Sequence, residues 1–151
     1  MRNPALARAL VISALVVTGS DLFAFYLPVY GDAIGMRPAA IGTLLGLYAA
    51  ATFVSRFVLP LLTGRMGSEA VLAIAMVLSA GLFLAFPATS NVAVLGVISF
   101  GLGLTLGCGQ PLTMVLVFNV APQGRSGEVM GMRITVNYLM HFVVPIIAGA
   151  A

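Results

Sequence analysis

The sequence predicts an all-α fold, a polytopic membrane helix bundle with about five transmembrane helices. Hydrophobic residues make up 61% of the chain, charged residues make up only 7%, and the mean hydropathy is +1.13. A water-soluble chain carries about a quarter charged residues, so most of this one must face lipid or other protein inside a bilayer. We therefore expect a single transmembrane domain over residues 1–151, with the lipid bilayer as its surroundings.

Five apolar stretches are each long enough to cross the membrane as a helix. A helix rises about 1.5 Å per residue, so about 20 residues cross a hydrocarbon core about 30 Å thick. The breaks between the stretches are rich in glycine, proline and polar residues, which favour turns. The predicted spans are 6–30, 39–63, 69–88, 92–118 and 127–151.

The arginines predict the orientation of the bundle, because cytoplasmic loops retain positive charge during insertion. One side holds only Arg37. The other side collects Arg2, Arg8, Arg65, Arg125 and Arg133, with Arg56 reaching toward it. We therefore expect a cytoplasmic N-terminus, in the inner membrane of a bacterium. The arginines are spread over short connections and form no basic patch, so nucleic acid is not an expected partner.

The two ends of the chain suggest a longer parent protein. The first apolar stretch lacks a small-x-small cleavage site, so we interpret it as a retained anchor and not as a signal peptide. The number of predicted spans is odd, and the chain stops at 148–151 without a polar flank. Truncation is therefore expected, and a natural half-length protein is the alternative.

An internal match relates the second span to the fifth. Residues 41–64 align without gaps with residues 126–149, and six of the aligned positions are identical. The identical pairs are Gly42 and Gly127, Gly46 and Gly131, Phe57 and Phe142, Val58 and Val143, Pro60 and Pro145, and Gly64 and Gly149. The predicted orientation makes these two spans cross in opposite directions, and inverted repeats are typical of secondary transporters. The alternative is a chance match between two apolar helices.

Two stretches resemble the major facilitator superfamily of transporters. Residues 101–114 (GLGLTLGCGQPLTM) and 121–133 (APQGRSGEVMGMR) are similar to the tenth helix, the following cytoplasmic loop and the start of the eleventh helix. Residues 56–67 are similar to the end of the eighth helix and its loop, although the loop pattern survives only as Arg65-x-Gly67. The resemblance implies a partial major-facilitator half, helices seven to eleven, with helices one to five as the alternative.

The resemblance also implies a function. It implies part of an ion-coupled secondary transporter that moves a small-molecule substrate by alternating access, with the other transporter half or a second copy as partner. A non-transporting membrane remnant or accessory subunit is the alternative. Enzyme activity, a cofactor and a metal site are not expected. The chain has one histidine, no cysteine or histidine pair at metal spacing, no Gly-x-Ser-x-Gly motif and no P-loop.

Polar residues within the spans are the candidates for a substrate or ion pathway, because an ionised side chain there costs about 2.5–3.5 kcal/mol on insertion scales. The candidates are Asp21, Arg56, Gln110, Asn137 and His141. Arg56 is near enough to the cytoplasmic end to extend to the interface. Gln110 precedes Pro111, which removes a helical hydrogen bond and leaves carbonyl groups able to face a cavity. A polar cavity shared by Gln110 and Asn137 is one expectation, since the two lie at similar depth.

Asp21 and His141 form the sharpest hypothesis. Helix rise places both about 20 Å from the cytoplasmic end, and in the family that the chain resembles the seventh and eleventh helices are neighbours. A carboxylate beside an imidazole can hold one proton and release it when a cavity opens. The alternative is that Asp21 bonds a neighbouring helix or water while His141 packs against other side chains.

A stripe of small residues in the fourth span predicts a close helix contact. Ser99, Gly103 and Gly107 recur every fourth residue and therefore lie on one helix face. Small side chains let two helix backbones approach closely in a membrane, so packing is the expected role of this face.

Overall fold

A computed structural model describes residues 4–122 and 124–150, with the side chains of 148–150 excluded. The helices are α1 (Pro4–Ala33), α2 (Pro38–Met66), α3 (Ser68–Ala85), α4 (Val92–Asn119) and α5 (Ser126–Ala150), and a short 3-10 turn, Phe86–Ala88, follows α3. All five helices are long and apolar enough to cross a membrane. The predicted all-α membrane bundle of five helices is confirmed. Arg2 and the last residue of the predicted fifth span lie outside the described residues.

Local chemistry explains where the helices begin and end. Pro38 occupies the first turn of α2, where its missing N–H is not needed. Gly67, with a φ of 79°, joins α2 directly to α3 in a conformation that favours glycine. At the start of α4 the Asn91 side chain accepts a 2.9 Å hydrogen bond from the Ala93 N–H. These residues fall in the breaks that the sequence predicts.

Helix α4 is the centre of the bundle and contacts each of the other four helices. Gly103 and Gly107 of the small-residue stripe face α2. A Cβ atom added at Gly103 would meet the Tyr48 carbonyl and lie 2.7 Å from the Ala51 Cβ, and one added at Gly107 would lie 2.7 Å from the Ser55 Oγ. The predicted packing role of this stripe is confirmed.

Helix α5 lies at the edge of the bundle, where it packs mainly on α1 and more lightly on α4. Helix α2 packs mainly on α4. In an inverted repeat, a two-fold axis relates α1 to α4 and α2 to α5. Packing of α2 on α4 then corresponds to packing of α5 on α1, and both contacts are present. The inverted repeat itself stays a prediction. The edge position leaves one face of α5 to hold the polar contacts described next.

Large apolar side chains project outward from every helix. Examples are Val11, Phe57, Val77, Val97 and Phe142, each more than half exposed. In water such a surface would be unstable, but in a bilayer it faces lipid tails of the same polarity. The polar side chains that α5 presents to α1 and α4 are therefore the feature that apolar packing does not explain.

Candidate functional site

Three polar side chains follow one face of α5 at intervals of four residues: Arg133, Asn137 and His141. Side chains four residues apart lie one above another, about 6 Å apart along the helix. Each of the three contacts a residue of α1 or α4. We call these three residues the α5 polar stripe.

At the top of the stripe, His141 contacts Asp21 of α1. Its Nδ1 lies 2.6 Å from the Asp21 Oδ2, and the Asp21 side chain is only 19% exposed. No hydrogen bond from a described residue reaches that oxygen, so the contact is a close approach of an imidazole and a carboxylate. An imidazole and a carboxylate this close attract each other as an ion pair when the imidazole carries a proton.

Helix α2 packs beside the same part of α1. The Tyr48 phenol of α2 lies near Ser20, the residue before Asp21. Its ring stacks on Phe23 of α1, with the two centroids 4.6 Å apart. Asp21 thus contacts α5, while α2 packs on neighbouring residues of α1.

The middle of the stripe is a buried hydrogen bond between α5 and α1. The Ser13 hydroxyl donates to the Asn137 Oδ1 over 3.1 Å, and both residues are buried. A polar group inside a bilayer has no water to bond, so the pairing of these two side chains satisfies both.

At the bottom of the stripe, Arg133 is buried against α4. Its Nη2 donates to the Gln110 carbonyl oxygen and to the Thr113 Oγ1, each over 3.1 Å. The Thr113 hydroxyl in turn donates to the same carbonyl over 3.0 Å. The Arg133 Nε is buried and has no partner among the described residues. This guanidinium is therefore fixed at one edge and unsatisfied at another.

The family of this chain can be assigned at this point. The family model of the Major Facilitator Superfamily matches residues 1–145. The chain belongs to the Major Facilitator Superfamily. No curated protein and no solved structure matches it. Membership indicates a secondary transporter, an integral membrane protein that moves small molecules.

The structure places the five predicted pathway residues in surroundings that differ from one residue to the next. The structure brings Asp21 and His141 into contact, as the shared depth predicts. Asn137 and Gln110 do not share a contact, because Asn137 bonds Ser13 while the Gln110 carbonyl bonds α5 one turn away. The Gln110 side chain is exposed. Arg56 lies on an exposed part of α2 and forms no ion pair with a described residue.

Arg133, which the arginine count assigns to the cytoplasmic side, is a buried residue of α5. The residue lies seven positions into α5, which is about 10 Å from the start of the helix, and its side chain is buried. Counting arginines by side does not separate a loop residue from one inside the first two turns of a span. The signal that identifies Arg133 is its spacing, since it is followed every fourth residue by Asn137 and His141.

Proposed function

We propose that this chain forms part of a proton-coupled secondary transporter, which moves a small molecule by alternating access. The observation that carries the proposal is the 2.6 Å contact between Asp21 and His141, which joins two membrane-spanning helices. In a transporter of this kind, substrate and ion sites lie between helices that move relative to one another. An acid and a base on two such helices are suited to couple that movement to a proton.

The physical basis is the cost of a charge inside the membrane. A carboxylate alone in an apolar span is strongly disfavoured, and a protonated imidazole beside it makes the pair neutral overall. When α5 moves away from α1, water enters and solvates the two groups separately, so the proton can leave. The pair thus takes up a proton on one side of the membrane and releases it on the other.

The architecture of the complete transporter follows from the same proposal. The chain supplies helices seven to eleven, with its N-terminus in the cytoplasm of a bacterium and its helices in the inner membrane. The other half or a second copy completes the pathway. The exchange of packing partners between α1–α5 and α2–α4 supports an inverted repeat within this half.

The test measures uptake by cells that produce the complete transporter. Mass spectrometry identifies solutes that accumulate only when the transporter is present, and a protonophore then collapses the proton gradient. We expect the protonophore to abolish accumulation in the wild type. We expect Asp21→Asn and His141→Gln each to reduce protonophore-sensitive uptake at least tenfold.

The matched control is Asp32→Asn, which removes an exposed carboxylate from the last turn of the same helix. It should leave uptake unchanged. Protonophore-sensitive uptake that persists in both Asp21→Asn and His141→Gln would contradict proton coupling through this pair. A complete absence of transporter-dependent uptake would favour the non-transporting remnant or accessory subunit.

A further inference from the structure

The charge of Arg133 is not neutralised by any described residue. Both of its hydrogen-bond acceptors, the Gln110 carbonyl and the Thr113 hydroxyl, are uncharged. The carboxylates of the chain contact other groups or are exposed near helix ends: Asp21, Asp32, Glu69 and Glu128. Buried charges in membrane spans are normally paired, and those that are not mark a substrate or ion pathway.

We propose that Arg133 binds an anionic group, a carboxylate or a phosphate, of the transported solute. This inference rests on the proposed transport function and specifies the substrate class. A guanidinium presents a planar set of N–H donors that matches the oxygens of both groups. The bonds from Nη2 to α4 hold that plane in place, and Nε remains as a donor without a partner.

The charges near the stripe link this anion to the proton. Without its proton, the Asp21–His141 pair carries one negative charge that balances Arg133. With the proton the pair is neutral, so the site as a whole carries the single positive charge of Arg133. A bound monoanion cancels that charge. The other titratable groups facing the pair are Tyr48 of α2 and Tyr138 of α5, whose ring lies 6.1 Å from His141. The residues that α4 presents to Arg133, Gln110 and Thr113, do not titrate.

The strength of this link follows from distance. Arg133 and His141 are eight residues apart on one helix, which corresponds to about 12 Å. At an effective dielectric constant of about 20, one charge at that distance changes affinity roughly tenfold. Anion binding is therefore tighter when the pair holds its proton. Proton and monoanion move together in the same direction, without net charge transfer.

The test measures binding to the whole chain in nanodiscs of zwitterionic lipid. The probes are benzoate against benzamide, lactate against lactamide, and inorganic phosphate. We expect at least one anion to raise the melting temperature and to bind at least tenfold more tightly than its neutral analogue. Arg133→Gln should remove this preference, and Arg133→Lys should keep part of it. The control Arg65→Gln, at an exposed position in the last turn of α2, should leave it unchanged.

Three outcomes would overturn the anion site. The anions bind no better than the amides, or the preference survives in Arg133→Gln, or phosphatidylglycerol in the nanodisc displaces the soluble anion, which would make a lipid headgroup the occupant. The comparison of carboxylate with amide uses the wild type, so it stands even where Arg133→Gln does not fold. Anion binding that survives in Asp21→Asn but loses its pH dependence supports both proposals. Anion binding without protonophore-sensitive uptake would contradict proton coupling and would leave the anion site supported.

Discussion

At the residue scale, the bond between Ser13 and Asn137 offers a direct measure of how firmly the α5 polar stripe holds α5 to α1. We expect a double-mutant cycle with Ser13→Ala and Asn137→Ala to give a coupling energy of about 0.6 kcal/mol, the average for such bonds between membrane helices. The value is small because an unpaired side chain in the membrane finds another partner. The measurement is the free energy of unfolding in mixed micelles, followed by circular dichroism.

The control is a second double-mutant cycle, in which Ser99→Ala takes the place of Ser13→Ala. The Ser99 hydroxyl is also buried, but it donates over 2.7 Å to the Leu95 carbonyl of its own helix. Ser99→Ala and Asn137→Ala should therefore be additive within error. A cycle for Ser13 and Asn137 that is equally additive would show that their contact contributes nothing to the attachment of α5.

The sequence predicts some residues of the site well and others poorly, for physical reasons. Helix rise is constant, so the relative depth of two residues follows from residue number, and Asp21 and His141, which it assigns to the same depth, are in contact. Rotation about the helix axis depends on packing, so the exposure of the Gln110 side chain is not predictable from its position. The burial of Arg133 is likewise not predicted, because the arginine count assigns each residue to a side and not to a depth.

At the element scale, the close contact of α2 with α4 predicts a sharp difference between two glycines. Gly103→Ala should destabilise the bundle by about 1–3 kcal/mol, because the new Cβ would meet the Tyr48 main-chain carbonyl, which cannot move without shifting α2. Gly46→Ala should be neutral or stabilising, since nothing lies within 4 Å of its Cβ position and alanine is the better helix former. Unfolding in mixed micelles measures both.

These two variants test the helix contact and not the helices themselves. Circular dichroism before unfolding should show equal helix content for both, because each change lies inside a long helix. Equal stabilities for Gly103→Ala and Gly46→Ala would mean that α2 and α4 do not approach as closely as the structure shows.

The positions of the helices are easier to predict from the sequence than the pairs of helices that pack together. A bilayer forces each spanning segment to satisfy its own backbone hydrogen bonds, so an apolar stretch of sufficient length indicates a helix. The choice of partner is harder to predict, because lipid and helix surfaces are equally apolar. The small residues of α4 and the shared depth of Asp21 and His141 each marked a contact in advance, but nothing in the sequence marks α5 as the helix at the edge of the bundle.

At the scale of the whole molecule, the orientation still rests on charge after Arg133 is removed from the count. Arg8, Arg65 and Arg125 lie near one end of the helices as they are connected, and Arg37 lies near the other. The same orientation places Arg133 nearer the cytoplasm than the Asp21–His141 pair, because α5 then runs outward. A solute bound at Arg133 and a proton bound at the pair would thus occupy different depths of one pathway.

Site-directed labelling tests this orientation. In a Cys108→Ala background, which removes the single native thiol, Ser90→Cys places a thiol in the exposed connection before α4 and Glu69→Cys places one in the exposed first turn of α3. A membrane-impermeant maleimide added to intact cells should label Ser90→Cys and not Glu69→Cys. After the membrane is permeabilised, both should react equally, which is the control for accessibility. The reverse pattern would place the N-terminus outside and Arg133 nearer the external side of the pathway. It would also mean that positive charge does not determine the direction of insertion of this chain.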